Sequence, residues 1–220
     1  MRTSGLVLDV ASQVGGASPG VATLYDKSRF ANNGAMIGLT WSQISSGLRV
    51  INFGGVYGNR VVFPNSASLS KLGSGISVMF WMSSPPGGTN VIYQWALAQR
   101  SFQLSASADK MVCYISDDGS VNAGHFKQYT SSLSAFTSSY NLIGFTFNSS
   151  GLSLFVNGVL DPAPVKTADG AISTMFSSNQ DIVMYTDVAS KMALGRIWNH
   201  ALSPARIRDL YTAERRLFGV

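Results

Sequence analysis

Short runs rich in Val, Ile, Phe, Tyr and Trp recur along the whole chain, separated by glycine- and serine-rich turns, and they limit the folds open to it. This spacing predicts antiparallel strands in a sandwich or barrel. No composition shift marks a boundary, so we expect one domain over residues 1–220. The predicted strands are Leu6–Val10, Leu48–Phe53, Arg60–Phe63, Ile76–Met82, Val91–Ala98, Phe102–Ala106, Met111–Ile115, Leu142–Phe147, Leu152–Val156, Ile182–Tyr185 and Met192–Trp198.

Turn chemistry supports the antiparallel arrangement. Asn157-Gly158 predicts a type I′ hairpin turn, in which both central residues need a positive φ, and Asp118-Gly119 is a second candidate. Gly151 ends another predicted hairpin loop. The run Ile76–Met82 is apolar on one face and partly apolar on the other, which predicts a central strand covered on both sides.

One helix is predicted, over residues 204–217. Ser203 suits the N-cap position, Pro204 suits the first turn and Gly219 suits the C-terminal cap. Glu214 falls within the apolar stripe of this helix, so its carboxylate must stay hydrated or meet an arginine. The stripe consists of Ile207, Leu210, Tyr211, Leu217 and Phe218.

Composition excludes several classes of protein. Charged residues are 12% of the chain and the mean hydropathy is +0.15, which excludes a disordered chain. The single cysteine, Cys113, excludes an internal disulfide framework and a thiolate zinc cluster. No apolar run reaches the ~18 residues of a membrane span or forms a secretory signal, so we expect a protein without a membrane partner.

The acidic residues argue against catalysis. Glycoside hydrolysis usually needs two carboxyl groups facing one cleft. Glu214 is the only glutamate, and the close pair Asp117-Asp118 would point to opposite faces if it lay on a strand. The histidines, His125 and His200, form no zinc motif, and no nucleophile elbow is present. We therefore predict a non-enzymatic protein, with an all-aspartate glycosidase as a weaker alternative.

Several segments resemble one family. The residues Leu194–Pro204 and the helix after them resemble the last strand and tail of laminin-G-like, concanavalin A-like jelly rolls. Tyr25–Gly34 is similar to the early D-x-S-x-x-x-N-x-G turn of that family, Phe145–Gly158 to its L-x-V-N-G hairpin, and Ile51–Gly55 to its F-x-G element. The resemblance implies an all-β, antiparallel two-sheet β-sandwich (a jelly roll) with one short C-terminal helix.

The resemblance also bears on binding sites. Family members often hold calcium through rim Asp and Asn residues, but the commonly acidic position near the last strand is Met192-Ala193-Leu194 here, so we predict no metal and no cofactor. Trp41 and Trp95 are alternative glycan platforms to Tyr57, with core packing as the plainer interpretation. The candidate ligand-binding residues are Tyr57, Asn59, Asp117, Asp118 and Asn122.

The C-terminal segment is the candidate protein-binding surface. Residues 196–220 hold five arginines and two acidic residues, a net charge of +3 out of +5 for the chain. A solvated helix face is the plainer interpretation, and we expect no nucleic-acid partner. The candidate partner-binding residues are Arg206, Arg208, Tyr211, Glu214, Arg215, Leu217 and Phe218.

These observations lead to two functional hypotheses. The chain resembles stand-alone phage- or virus-encoded members of the family. The leading hypothesis is a structural or surface protein of a virion, for capsid decoration or attachment, with protein partners such as copies of itself or capsid and tail proteins. The alternative is a carbohydrate-binding lectin or adhesion module, with or without calcium assistance of the kind the family suggests, at an extracellular or cell-surface location.

Overall fold

The computed structural model describes residues 4–10, 22–84, 87, 89–96 and 98–220. Residues 1–3, part of the N-terminal run considered as a targeting signal, and Leu97, in the predicted strand 91–98, lie outside this part. The strands are β1 (Leu6–Val10), β2 (Thr23–Leu24), β3 (Gly34–Ile37), β4 (Thr40–Gln43), β5 (Arg49–Asn52), β6 (Arg60–Phe63), β7 (Ile76–Ser83), β8 (Thr89–Gln94), β9 (Phe102–Ser107), β10 (Lys110–Ser116), β11 (Phe126–Ser134), β12 (Asn141–Asn148), β13 (Gly151–Val156), β14 (Val159–Leu160), β15 (Val165–Asp169), β16 (Ile182–Tyr185) and β17 (Lys191–Trp198). The helices are α1 (Ala67–Ser70) and α2 (Pro204–Glu214), the latter followed by a 3-10 turn, Arg215–Phe218.

The strands form two antiparallel sheets, and this confirms the predicted two-sheet jelly roll. An eight-stranded sheet has the order β14-β13-β12-β7-β17-β5-β4, with β1 also paired to β17. A nine-stranded sheet has the order β15-β11-β10-β9-β8-β16-β6-β3-β2. Within the described residues, neither helix is long and apolar enough to cross a bilayer.

The main core lies between the two sheets. It is rich in fully buried aromatic side chains, which remove large apolar areas from water. Cys113 belongs to this core, where its thiol is buried. The aromatic members of the core include Phe53, Phe63, Phe80, Phe102, Phe136, Phe145 and Phe147.

Strand β7 is central and buried on both faces, as its sequence predicts. It lies between β12 and β17, with Phe80 in the main core and Met79 and Trp81 in a second apolar cluster on the outer side of the sheet. The C-terminal segment supplies Ile207 and Phe218 to that cluster. The outer side of the eight-stranded sheet is therefore covered by the end of the chain.

The early family-like turn is a structural clamp. The buried Asp26 carboxylate accepts hydrogen bonds from the backbone N–H groups of Asp9, Ser28 and Asn32. The Asn32 side chain donates to Val7 O at 2.8 Å. These bonds attach the turn to β1, and Gly34 then enters β3 where its neighbours Val61 and Phe63 leave no room for a Cβ.

Two turn predictions have different outcomes. Asn157 and Gly158 both have positive φ, 53° and 77°, so the type I′ prediction is confirmed. The Asp118-Gly119 prediction is wrong. Only Gly119 has a positive φ, of 82°, and the β10–β11 connection is a longer loop over residues 117–125 in which the Asp118 side chain bonds to the backbone.

The predicted helix 204–217 also needs a correction at its end. After Glu214 the backbone tightens into the 3-10 turn, which advances each residue by more than the ~100° of an α-helix. As a result Phe218 is buried while Leu217 stays 36% exposed and off the apolar stripe. Ser203 caps the helix and Gly219, with φ 71°, ends the 3-10 turn, as expected.

Candidate functional site

The outer side of the nine-stranded sheet presents partly exposed aromatic and polar side chains. We call the surface formed by Tyr57, Tyr93, Tyr185, Asn90, Gln103, Ser105 and Tyr114 the tyrosine face. Gln103 is paired with Tyr114 on one side and Tyr93 on the other, so the three share one row across the strands. The cleft within this surface has a volume of about 370 Å³ and also contacts Asp187.

A β-bulge creates the tyrosine face. The register between β8 and β9 shifts between Asn90 and Ile92, so that Asn90 pairs with Ser105 and Tyr93 pairs with Gln103. Regular alternation would have placed Asn90 and Tyr93 on opposite faces, because they are three residues apart. The extra residue of the bulge brings both side chains to the solvent side.

Polar groups at the centre of the face are held in a fixed arrangement. The Gln103 amide Nε2 donates to Asn90 Oδ1 and to Ser105 Oγ, both at 2.6 Å. Ser105 Oγ also donates to Asn90 Oδ1 at 3.2 Å. This network positions amide and hydroxyl groups beside the aromatic rings before any ligand arrives.

Tyr57 extends from the edge of the face and is 89% exposed. Its ring meets Tyr185 edge to face, with 6.3 Å between ring centroids. The loop that carries it turns sharply at Gly55, whose φ is 69° and where a Cβ would lie 2.9 Å from Ala189 N. Asn59, predicted as a ligand contact, closes this loop by donating to Phe53 O at 2.9 Å.

The phenols of Tyr93, Tyr114 and Tyr185 stay protonated at neutral pH. Burial raises the pKa of Tyr93, while Arg60 lowers it by a smaller amount. Burial likewise raises the pKa of Tyr114, and burial together with the negative charge of Asp187 raises the pKa of Tyr185. Each phenol therefore keeps an O–H that can donate a hydrogen bond.

A second aromatic group continues the face toward the β10–β11 loop. The centroid of Trp95 lies 5.8 Å from that of Tyr114 and 6.2 Å from that of Phe126. The guanidinium of Arg100 lies 5.5 Å from the Trp95 ring centroid, within cation–π range. Trp41, the other predicted platform, instead packs half-buried against the main core.

The loop over residues 117–125 brings the candidate residues Asp117 and Asp118 together with His125. Asp117 Oδ1 lies 3.0 Å and Asp118 Oδ2 3.8 Å from His125 Nδ1. Hydrogen bonds, chiefly from the Ser120 backbone, lower the pKa of Asp118. Asn122 joins the loop through its backbone, donating to Ser120 Oγ and accepting from His125 N.

Three side chains of this loop lie close enough together to share an ion, and they include His125, which is not among the predicted ligand-binding residues. Ligand atoms of Asp117, Asp118 and His125 all lie within 4.8 Å of one another. The segment Met192–Leu194, considered above in connection with calcium, is buried in β17. The expectation that the chain uses no metal stays a prediction.

The predicted partner-binding segment divides into two groups. The Trp81 ring stacks with the rings of Tyr211 and Phe218, at centroid distances of 5.7 and 4.4 Å. Glu214 accepts from Trp81 Nε1 at 2.8 Å and from Arg196 Nη1 at 2.7 Å. Tyr211, Glu214 and Phe218 hold the chain's own end in place, so the carboxylate within the apolar stripe does meet an arginine. Exposed side chains are found at Arg208, Arg215 and Leu217, and Arg206 is half-buried.

A family model, described as the concanavalin A-like lectin/glucanases superfamily (Laminin_G_3), matches residues 53–208. The chain belongs to this superfamily. The matched range includes every member of the tyrosine face and extends into α2. A search of curated proteins finds no match.

Solved structures share the fold at low identity. The binding domain of Paraclostridial Mosquitocidal Protein 1 superposes with a TM-score of 0.74 at 12% identity, covering 95% of this chain and 52% of that one. The receptor-binding domain of botulinum neurotoxin D superposes with a TM-score of 0.70 at 14% identity, covering 96% of this chain and 53% of that domain. The binding domain of botulinum neurotoxin serotype G superposes with a TM-score of 0.68 at 14% identity, covering 95% of this chain and 51% of that domain. The chain thus spans about half the length of these structures.

Proposed function

We propose that this domain is a non-enzymatic carbohydrate-binding module and that the tyrosine face is its binding surface. The observation that carries the proposal is the combination of rings and preset amide and hydroxyl groups on an open sheet. Sugar rings place C–H groups on aromatic faces, and their hydroxyls bond to amides and carboxylates, so such sites pair apolar surface with a few fixed polar groups.

The exposure of Tyr57 supports a binding role. An aromatic side chain buries 150–250 Å² when it is covered, so leaving Tyr57 in water gives up a large apolar contribution to stability. A ligand that packs on its ring regains that contribution at the moment of binding. The Asp187 carboxylate also lines the cleft, and a carboxylate accepts hydrogen bonds from hydroxyl groups.

The same cleft favours binding over hydrolysis. Among the described residues that line it, Asp187 supplies the only carboxyl group. Hydrolysis of glycosides by the usual route requires two carboxyl groups about 5–9.5 Å apart. The neighbours named above, which are receptor-binding or binding domains of toxins, are consistent with a binding role for this fold.

A glycan array tests the proposal, with the wild type compared with Tyr57→Ala. We expect the wild type to bind a subset of glycans and the variant to bind them about tenfold more weakly, since loss of one aromatic contact costs on the order of 1.4 kcal/mol. Tyr25→Ala is the matched control, because Tyr25 is 48% exposed but outside the face. A blank array, or equal losses in both variants, would contradict the proposal. Arrays with calcium and with a chelator test the calcium-assisted form.

A role on a virion is a separate proposal about where the module is carried. The exposed Arg208, Arg215 and Leu217 support a protein contact on the side opposite the tyrosine face, which would leave that face free for glycans. We expect Arg208→Glu combined with Arg215→Glu to weaken self-association or assembly with capsid or tail proteins without changing the thermal midpoint. Unchanged assembly would contradict the interface.

A further inference from the structure

The tyrosine face carries aromatic rings at two separate places along its width. Tyr185, on β16, lies beside Tyr57, and we call this pair the first platform. Tyr114, on β10, lies beside Trp95, and we call this pair the second platform. The cleft of about 370 Å³ contacts both Tyr185 and Tyr114. One ligand in this cleft can therefore meet both platforms.

The strand order sets the distance between the two platforms. Strands β8 and β9 lie between β16 and β10, so Tyr185 and Tyr114 are three strand spacings apart. Neighbouring strands lie about 4.8 Å apart, which gives roughly 14 Å measured across the strands. A single sugar ring is too short to contact both platforms.

The polar groups between the platforms are oriented by their own hydrogen bonds. Both N–H groups of the Gln103 amide are used inside the network, one by Asn90 Oδ1 and one by Ser105 Oγ. The carbonyl oxygen, Oε1, is therefore the part of this amide that remains to accept a hydrogen bond from a ligand hydroxyl. Gln103 is half-buried in a strand that is paired on both sides, so binding orders little additional side chain.

We propose that the tyrosine face binds the interior of a linear, β-1,4-linked sugar chain that crosses the strands from the first platform to the second. This inference rests on the carbohydrate-binding function proposed above. A β-1,4 linkage keeps a chain extended and ribbon-like, so its rings can meet platforms on one side of a sheet. Each ring advances the chain by about one strand spacing of ~4.8 Å, so about three or four rings fill the site. The outer rings pack on the platforms, and a middle ring bonds to Gln103.

Isothermal titration calorimetry of the full chain with oligosaccharides of increasing length tests the proposal. The probes are cello-, chito-, manno- and xylo-oligosaccharides, each from the monosaccharide to the hexasaccharide. For at least one series, we expect the affinity to rise by about tenfold or more between the monosaccharide and the tetrasaccharide, and to change little beyond it. A monosaccharide that binds as tightly as its tetrasaccharide would overturn the proposal.

Variants of the two platforms test whether the chain spans both. Tyr57→Ala and Tyr114→Ala should each weaken binding of the tetrasaccharide about tenfold. Only one of them should weaken binding of the disaccharide, which is too short to reach both platforms. Tyr114→Phe keeps the ring and should bind nearly as tightly as the wild type, and Tyr25→Ala is the matched control outside the face. Thermal melts of each variant check that it is folded. The proposal is overturned if only one platform variant weakens tetrasaccharide binding, or if both weaken disaccharide binding.

The failure of this proposal can be told apart from the failure of the proposed function. If the glycan array shows binding only to terminal sugars or to chains of other linkages, and none of the four series binds, the domain still binds carbohydrate and the extended site is wrong. A blank array together with four blank titrations would contradict both.

Discussion

The packing of Phe218 gives the sharpest stability prediction. Its ring is buried, stacks on Trp81 at 4.4 Å and contacts Tyr140 at 4.9 Å between centroids. Phenylalanine-to-alanine changes in cores cost about 3–5 kcal/mol, and a chain end relaxes more than a core interior, so Phe218→Ala should cost about 3 kcal/mol. For a domain of this size that corresponds to a fall of about 6–12 °C in the thermal midpoint.

Leu217→Ala is the internal control for this prediction. Leu217 precedes Phe218 directly and is 36% exposed, so its truncation should change the free energy of unfolding by about 0.5 kcal/mol or less. Urea denaturation followed by tryptophan fluorescence measures both variants, and near-UV circular dichroism reports the environment of Trp81. Equal destabilisation by the two variants would contradict the prediction, because it would mean that the chain end does not turn Phe218 inward.

Three further predictions concern other parts of the fold. Hydrogen bonds from Lys127 and the Tyr129 phenol hold the pKa of Asp169 well below its usual range. The ionised Asp169 carboxylate therefore stabilises the folded protein above about pH 4, where the same group in the unfolded chain is also ionised. This stabilisation is lost as the pH falls toward the pKa of Asp169 in the folded protein. The stability advantage of wild type over Asp169→Asn, measured by urea denaturation at pH 7 and pH 3, should accordingly shrink at the lower pH, and a constant difference would contradict it. Burial raises the pKa of the Cys113 thiol well above its usual value, so a thiol reagent should label it only as fast as the protein unfolds, and rapid labelling of the native chain would show that the thiol is accessible. Gly158→Ala should destabilise the fold more than Gly73→Ala, as thermal melts would show: both glycines have similar positive φ, 77° and 71°, but a Cβ at Gly158 would lie 2.9 Å from Tyr211 Cβ whereas open space surrounds Gly73.

Hydrophobic patterning identified the longer strands whose buried positions are mostly apolar, such as β7 and β12, but not the short strands β2 and β3. Strand β11 was missed because its buried positions include Lys127 and Ser131. Lys127 pairs with Asp169, and Ser131 Oγ accepts from Met111 N, so this strand buries polar groups that are satisfied by partners far along the chain. The periodicity of hydrophobic residues does not identify such buried polar positions, because the partners that make their burial possible are set by tertiary structure.

The candidate site was predictable only in part. Tyr57 stands out because it lies between two predicted strands, in a glycine-rich turn. Tyr93 and Gln103 lie within strands, and an aromatic residue in a strand, such as Tyr93, is ordinarily expected in the core. The bulge that turns Tyr93 outward depends on the pairing of β8 with β9, which a local pattern does not specify.

For Glu214 in the terminal helix, the sequence predicts the kind of partner but not its identity. Glu214 within an apolar stripe correctly indicates a need for hydration or an arginine partner. The partner is Arg196, on a strand 18 positions earlier, and Trp81 also donates to the same carboxylate. These contacts depend on the pairing of β7 with β17, which places Trp81 and Arg196 on neighbouring strands.

A structure of the domain bound to the best glycan from the array would locate the binding surface outright. We expect the sugar to lie on the ring of Tyr57, next to Tyr185, with its hydroxyls bonded to the Gln103 and Asn90 side chains. A glycan bound elsewhere, with Tyr57 and Gln103 still in contact with solvent, would contradict the assignment of the tyrosine face as the carbohydrate site.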